Sequence, residues 1–337
     1  MMGSEKRNIN LDVNRLMACI AVVGLHTFKC DISAVNSVIY YLCAFAIPFF
    51  FMSSGYILLN RSKLTFQYFS KKSVQILGVV IAWNVLLFIC KLLYRLLITH
   101  QSDIGIAELF YMIAGSLIQK NTLSHFWYMG ALMIVYFFAC VLFKCNLREK
   151  YRRILWLCLA VVSVGIQAVS LLLGYSLQEG VIQTFRLWTY FQYFMLGGLM
   201  PAFVAWFSRK INLYCHIALA VSFGIVIPIY GLLNARLNPH AEYLYDDILL
   251  IAGVVLFFSL IMRVRISEKA ARLVQHLMPC TMGVYIIHLL IIKGLVHFIP
   301  LNSLLSACVV FVITLIVSFA ASFCISRVPV ACRLIKL

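Results

Sequence analysis

Ten apolar runs, each near the length of a bilayer crossing, constrain this chain more than any other feature. They cover about 11–29, 36–59, 73–97, 123–143, 153–173, 185–206, 213–233, 247–263, 278–297 and 301–324. A helix needs about 20 mostly apolar residues to cross the hydrocarbon core. Within lipid, backbone groups must be satisfied internally, which restricts spanning segments to helices or closed barrels. The runs therefore predict an all-α integral membrane protein with about ten transmembrane helices. The segment 104–118 is apolar but short and is expected to be interfacial or re-entrant.

The totals agree. Of 337 residues, 64% are hydrophobic and 12% charged, with a mean hydropathy of +0.98. A soluble domain carries about 25% charged residues. The net charge of +17 could suggest nucleic acid, but the cations cluster in short segments between apolar runs. That arrangement sets membrane topology, and no nucleic-acid partner is expected. With the N-terminus inside, the outer loops hold three of the 28 basic residues (Lys29, Lys120 and Arg236) and the spans hold five, leaving twenty inside. Most acids fall outside: Asp31, Asp103, Glu108, Glu179, Glu242, Asp246 and Asp247. Both termini are thus expected in the cytoplasm. No soluble domain of useful size remains, so residues 1–337 are expected to form a single transmembrane domain.

Lys6 and Arg7 followed by the run Leu16–Leu25 mimic a signal peptide, but no small-residue cleavage site follows. An uncleaved first helix is expected. Twelve cysteines show no CxxC and no zinc-like spacing; neither a disulfide framework nor a metal site is expected.

Five basic residues fall within the spans: Arg15, Lys91, Arg95, Arg186 and Lys293. Ionisable groups at membrane depth are costly and mark functional candidates. Snorkelling accounts equally well for Lys91, Arg95 and Lys293, and an interfacial anchor for Arg186. Arg15 and His26 are eleven residues apart, which returns a helix to within about 20° of its starting face, about 16 Å along the axis. Asp12 lies one turn before Arg15 on nearly the same side. The first helix therefore presents an acid–base pair near the cytoplasm and an imidazole near the outer surface. In the second run, Pro48 is expected to kink the helix. Ser53, Ser54 and Gly55 form a small patch at the depth of Arg15, suited to close helix packing or to a slot for a ligand chain. Ser54 as a nucleophile has no assignable base. His125 opens the fourth span at its outer end, followed by Trp127 and Tyr128, which an interfacial aromatic belt would explain. His288 lies in the middle of the ninth span.

These segments resemble the acyltransferase family 3 membrane proteins, bacterial enzymes that O-acetylate surface polysaccharides. Asp12-x-x-Arg15 followed by His26 is similar to the family's R-x(10)-H signature. Phe49-Phe50-Phe51-Met52-Ser53-Ser54-Gly55-Tyr56 resembles its F-F-x-x-S-G-[FY] segment. Met282-Gly283-Val284-Tyr285-Ile286-Ile287-His288 resembles its late S-F-G-I-Y-x-x-H segment, and His125-Phe126-Trp127-Tyr128 a looser H-x-W-[FY] motif. The chain departs at Lys71-Lys72-Ser73-Val74-Gln75, where the family has R-x-x-R before a proline, and at Thr281-Met282 in place of Ser-Phe. No extracellular hydrolase-like or racemase domain, of the kind fused to some members, is expected within residues 1–337.

The resemblance implies transfer of an acetyl group from cytoplasmic acetyl-CoA, without a metal, to a hydroxyl of a cell-surface glycan on the outer side. The acceptor would be O-antigen, common antigen or a related lipid-linked polysaccharide, and the location the bacterial cytoplasmic membrane. In that scheme Arg15 and the Lys71–Lys72 loop position the donor phosphates, and the pantetheine arm passes Ser54 and Gly55. His26 is the general base, with Asp12 beside Arg15. Arg186, His125 or His288 would stabilise the oxyanion or hold the sugar, with Trp127 at the same site. A secondary transporter or flippase is the alternative, since intramembrane charges suit it too. Against it stand the near absence of intramembrane acids and the lack of paired interrupted helices.

Overall fold

The computed structural model describes residues 7–100, 105–146, 149–235 and 240–335. Among them every regular element is helical. Lys6, Asp103, Arg148, Arg236 and Lys336, which entered the charge reading above, lie outside the described residues. The helices are α1 (Ile9–Thr27), α2 (Ala34–Leu42), α3 (Ala46–Leu59), α4 (Phe66–Tyr94), α5 (Ile106–Leu117), α6 (Trp127–Lys144) and α7 (Glu149–Leu173). They continue as α8 (Leu187–Lys210), α9 (Leu213–Leu233), α10 (Ile248–Arg263), α11 (Glu268–Leu277), α12 (Thr281–Val296) and α13 (Leu304–Arg327).

Each of the ten expected runs falls on a helix. Eight helical stretches are long and apolar enough to cross a membrane. The other two expectations fall on α8 and α10. Helix α8 is long but carries Thr189 and Gln192, both buried inside the bundle, and Arg209 and Lys210 in its last turn. Helix α10 has 16 residues, about 24 Å of helix against a core of about 30 Å. Helix α5 is short, as expected for segment 104–118, and packs on α4. Helix α11 was not anticipated. Its Val274 is buried with Leu16 of α1 and Met278, while Lys269, Arg272 and Leu273 are exposed. Its alternating faces fit a helix lying along a surface rather than crossing one.

Local sequence explains the breaks. Asn8 caps α1 by accepting from the Asn10 and Leu11 N–H groups. Ser33, Thr65, Asn212, Asp247 and Ser303 cap α2, α4, α9, α10 and α13 in the same way. The second run is split by a 3-10 turn at Cys43–Phe45. Pro48 lies four residues after Ala44 and offers it no N–H, so the bend expected at Pro48 appears one turn earlier.

The bundle is tightest between α3 and α8. A Cβ on Gly55 would lie 1.8 Å from the Phe194 carbonyl oxygen, and one on Gly197 would lie 2.0 Å from the Met52 oxygen. Two helices at this distance require glycine on both sides. Cross-links pin the bundle at both ends. At the Asn8 end, the Asn10 amide donates to the Ile261 and Val264 carbonyls, and Arg152 donates to Leu59. At the Thr27 end, the Tyr40 hydroxyl accepts from the Ala241 N–H, and Thr184 donates to the Leu117 carbonyl. Among the described residues no two cysteines form a disulfide.

Candidate functional site

Arg15, half-buried on α1, faces a cleft of about 390 Å³ that opens near the Asn8 end of the bundle. Arg61 and Lys72 line the same cleft, with Ser54 and the rings of Tyr68, Tyr128, Tyr136 and Tyr285. Three cations therefore surround one cavity, and among the described residues no acid lines it. Arg61 also lines a neighbouring cavity of about 710 Å³ with Lys63, Lys144 and Arg152, again without an acid. Arg152 Nη1 donates to the Leu59 carbonyl at 3.0 Å, while its Nε is buried without a partner. Together the two cavities form a strongly cationic depression suited to a polyanion carrying separated phosphates.

At the Thr27 end, His26 lines a different cavity of about 550 Å³. Its wall contains Trp127, Tyr40, Gln183, Glu242, Asp31 and Lys29. It adjoins a smaller cavity of about 380 Å³ lined by Arg186, Tyr243 and Glu179, and shares Gln183 and Glu242 with it. Glu242 is held from two sides: Gln183 Nε2 donates to Oε2 at 2.6 Å and Arg186 Nη1 to Oε1 at 3.0 Å. Arg186 also donates to the Val181 carbonyl and lies 5.4 Å from the Tyr243 ring centroid. Burial, with the Glu242 and Glu179 carboxylates, pushes the Tyr243 phenol up to about 12 against the pull of Arg186. Trp127 and Tyr190 pack ring to ring at 5.1 Å. Hydroxyls, amides and carboxylates beside the Trp127 ring make a surface suited to a polyhydroxylated ligand.

One layer of rings separates the two ends. The His26 ring lies 5.2 Å from that of His288, and His288 lies 5.3 Å from His125. Tyr285 is 6.1 Å from His288 and 5.7 Å from Tyr128, and both tyrosines line the basic cleft. Hydrogen bonds fix the tautomers. His288 Nδ1 lies 2.7 Å from the Tyr285 carbonyl and 3.1 Å from that of Val284. Carbonyls only accept, so Nδ1 carries the proton and Nε2 is left as a buried acceptor without a partner. His125 Nε2 lies 3.1 Å from the Ile286 carbonyl. Its Nε2 therefore carries the proton and Nδ1 is the buried, unpartnered atom. The Tyr285 hydroxyl donates to the His125 carbonyl, which clamps the Ser124–Phe126 turn to α12.

The residues named from sequence thus divide. His26, His125 and His288 come together, with Trp127 on the His26 side. Arg15, Ser54 and Lys72 come together at the other end, with Tyr128 in that wall. Trp127 and Tyr128 are buried and face opposite cavities, so they are not an interfacial belt. Arg186 is buried and paired with Glu242, apart from the histidines and not a surface anchor. Three placements are corrections. Asp12 pairs with Arg7 and not with Arg15, because the chain entering α1 brings Arg7 back over the first turn. Gly55 makes no slot; the Phe194 backbone fills the space beside it. Lys71 is exposed on the face of α4 turned away from the cleft that Lys72 lines. Lys91 pairs with Glu108 of α5, and Lys293 Nζ donates to the Thr122 carbonyl at 3.0 Å.

Sequence reasoning missed Glu242, Gln183 and Tyr40 at the His26 end, and gave Arg61, Lys63, Lys144 and Arg152 a topological role only. Asp246 was counted as an outer-loop acid. It is buried and accepts from Ser163, Thr189 at 2.6 Å, Gln178 at 3.1 Å and Trp188 at 3.3 Å. Burial pushes its carboxyl above the usual range, and these donors pull it back. Asp246 ties α7 and α8 to the 3-10 segment Ala241–Asp246, which carries Glu242 and Tyr245 into the His26 cavity.

Comparison with known proteins bears on this arrangement. An amino-acid racemase of Enterococcus faecalis is 30% identical over 137 residues, which is 39% of this chain and 19% of that protein. The chain thus matches about a fifth of that relative's length. No solved structure matches. A family model described as an acyltransferase domain matches residues 8–324, from the start of α1 almost to the end of α13. That span contains the ring layer and, apart from Ile335, the lining of the cavities on either side of it, and the chain belongs to acyltransferase family 3, the membrane acyltransferases.

Proposed function

We propose that this chain moves an acetyl group from cytoplasmic acetyl-CoA to a hydroxyl of a cell-surface glycan on the opposite face of a bacterial cytoplasmic membrane. Ten crossings, with α8 and α10 among them and both termini inside, put the basic cleft on the cytoplasmic side. The charge bias of the loops supports that orientation. The 3′-phosphate and diphosphate of the donor occupy the cavity of Arg61, Lys63, Lys144 and Arg152, and the pantetheine arm enters the cleft past Arg15 and Lys72. The acceptor, a lipid-linked saccharide of the O-antigen or common-antigen kind, lies against Trp127 and Glu242.

One observation carries this reading. His26 lines the polar cavity, and its ring meets that of His288 in the layer behind which the basic cleft ends. His26 removes the proton of the acceptor hydroxyl as that oxygen attacks the thioester carbonyl. The tetrahedral intermediate collapses with cleavage of the C–S bond. The CoA thiolate leaves and takes up a proton, and the acetyl ester stays on the glycan. His288 Nε2, a buried acceptor without a partner in the ring packed against His26, is the group proposed to receive the His26 proton when the ring must reset. Tyr128, which lines the cleft, is the donor available to the developing oxyanion, since the Tyr285 hydroxyl proton is held by the His125 carbonyl.

The test separates the two ends. Purified His26→Ala is expected to bind acetyl-CoA as wild type does and to lose about 10²–10⁴-fold in turnover. Arg15→Ala is expected to weaken acetyl-CoA binding about tenfold or more. Wild-type turnover in His26→Ala ends the base assignment, and unchanged acetyl-CoA affinity in Arg15→Ala removes Arg15 from the donor site. Mass spectrometry of surface glycan from a deletion strain gives the acceptor class.

A further inference from the structure

Beyond α13 the chain turns back into the bundle. Ala331–Ile335 forms a 3-10 turn that packs on α4, α12 and α13. It lies past residue 324, where the family match ends. The Trp83 indole N–H of α4 donates to the Leu334 carbonyl at 2.9 Å. Ile335 is only 1% exposed to solvent, and it forms part of the wall of the basic cleft together with Ile76 of α4 and Met282 of α12. A Cβ on Gly283 would lie 2.4 Å from Ser322 Oγ of α13 and 3.2 Å from Ile335 Cγ2, so the glycine on α12 lets α13 approach and also leaves Ile335 its place beside it.

We propose that Ala331–Ile335 is a part of the donor site, with Ile335 the apolar contact that sets the width of the cleft around the pantetheine arm. The inference rests on the donor reading above. The cleft has two chemically distinct sides. Arg15, Arg61 and Lys72 offer charge, whereas Ile335, Ile76, Met278 and Pro279 offer apolar surface. An acyl-CoA arm needs both: its phosphates call for the cations and its uncharged methylenes for the apolar side. The segment also bridges α4 to α12, so that its docking closes the cleft laterally. The bond from Trp83 holds it there, because a buried indole N–H without Leu334 would lose its acceptor.

The experiment uses the full chain in detergent, with acetyl-CoA as the probe. Ile335→Ala is expected to raise the donor KM about tenfold while kcat and the acceptor KM hold. Ile335→Trp, which fills the cleft, is expected to lower acetyl-CoA affinity by at least as much without lowering the melting temperature to match. Trp83→Phe, which frees Leu334, shifts the donor KM in the same direction. As a readout independent of turnover, Ile335→Cys in a background with the exposed cysteines replaced by serine is expected to react with a maleimide, and acetyl-CoA to protect it. Wild-type donor KM in Ile335→Ala and Ile335→Trp, or an unprotected thiol at 335 in protein that binds acetyl-CoA, overturns the proposal. Wild-type protein that binds no acetyl-CoA overturns the donor reading itself.

Discussion

His288 spends its Nδ1 proton on carbonyls of its own helix, which leaves its Nε2 as an acceptor in the layer shared with His26 and His125. A ring that only filled space would tolerate exchange for another ring. His288→Phe is therefore expected to fold and to bind acetyl-CoA, yet to turn over about 10²-fold more slowly; turnover at the wild-type rate would remove His288 from the proton path. Glu242 and Arg186 make a different kind of pair, with side chains 20% and 7% exposed. Removing one partner leaves the other charge nearly buried. Glu242→Ala is expected to cost about 3 kcal/mol, and the double variant Arg186→Met with Glu242→Gln less than that. Thermal melting of Arg186→Met, Glu242→Gln and the double closes the cycle. Asp246 predicts a pH effect. Its folded carboxyl is raised above the unfolded value. The stability this contributes is complete below the unfolded pKa and is lost as pH rises through the folded one. As pH rises above the unfolded carboxylate range, about 4, Asp246→Asn is expected to melt with a flatter pH dependence than wild type. At this scale the sequence was partly legible. Arg15 and His26 share one helix, whose fixed pitch relates them directly. The meeting of His26, His125 and His288 depends on three helices far apart in the chain, and nothing local encodes it. Glu242 and Asp246 were taken for loop acids because a 3-10 segment between two helices carries no periodic signal.

Among the elements, the α3–α8 crossing is the most demanding, because backbone touches backbone at Gly55 and Gly197. Gly55→Ala and Gly197→Ala are each expected to cost about 3 kcal/mol or more by forcing the helices apart. Gly78 of α4 and Gly165 of α7 have nothing within 4 Å of the added carbon. Alanine there is expected to be neutral or stabilising by up to about 1 kcal/mol. Comparing folded yield and melting temperature across the four variants checks both statements. Equal losses at all four would show that helix propensity, not the crossing, governs. The sequence marked Ser53–Gly55 as a packing or ligand patch, and the structure divides it. Gly55 packs on α8, while Ser54, one residue earlier and 100° around the helix, reaches the cleft with Tyr128 and Tyr136. Hydropathy placed every long helix because each apolar run has to be buried in protein or lipid. It missed α11, whose mixed composition gives no apolar run.

For the whole molecule, the two ends differ in charge and chemistry, and this is open to a direct check. In a background without reactive cysteines, a membrane-impermeant thiol reagent is expected to label Lys29→Cys in intact cells and Lys63→Cys only after the membrane is opened. Labelling in the reverse order would place the basic cleft outside, away from any cytoplasmic donor.

The two cavities end within one ring layer of each other, and this has an electrical consequence. Water and ions entering from either side bring each solution's potential deep into the protein. In a membrane with both cavities filled by solution, the voltage would fall mainly across this ring layer, not across the full thickness of the bilayer. Moving one elementary charge through that voltage is worth about 2.3 kcal/mol per 100 mV. The layer is thus both the insulator of the membrane at this point and the place where the field is steepest, and the direction in which the reaction's proton leaves sets whether an energised membrane assists turnover or opposes it.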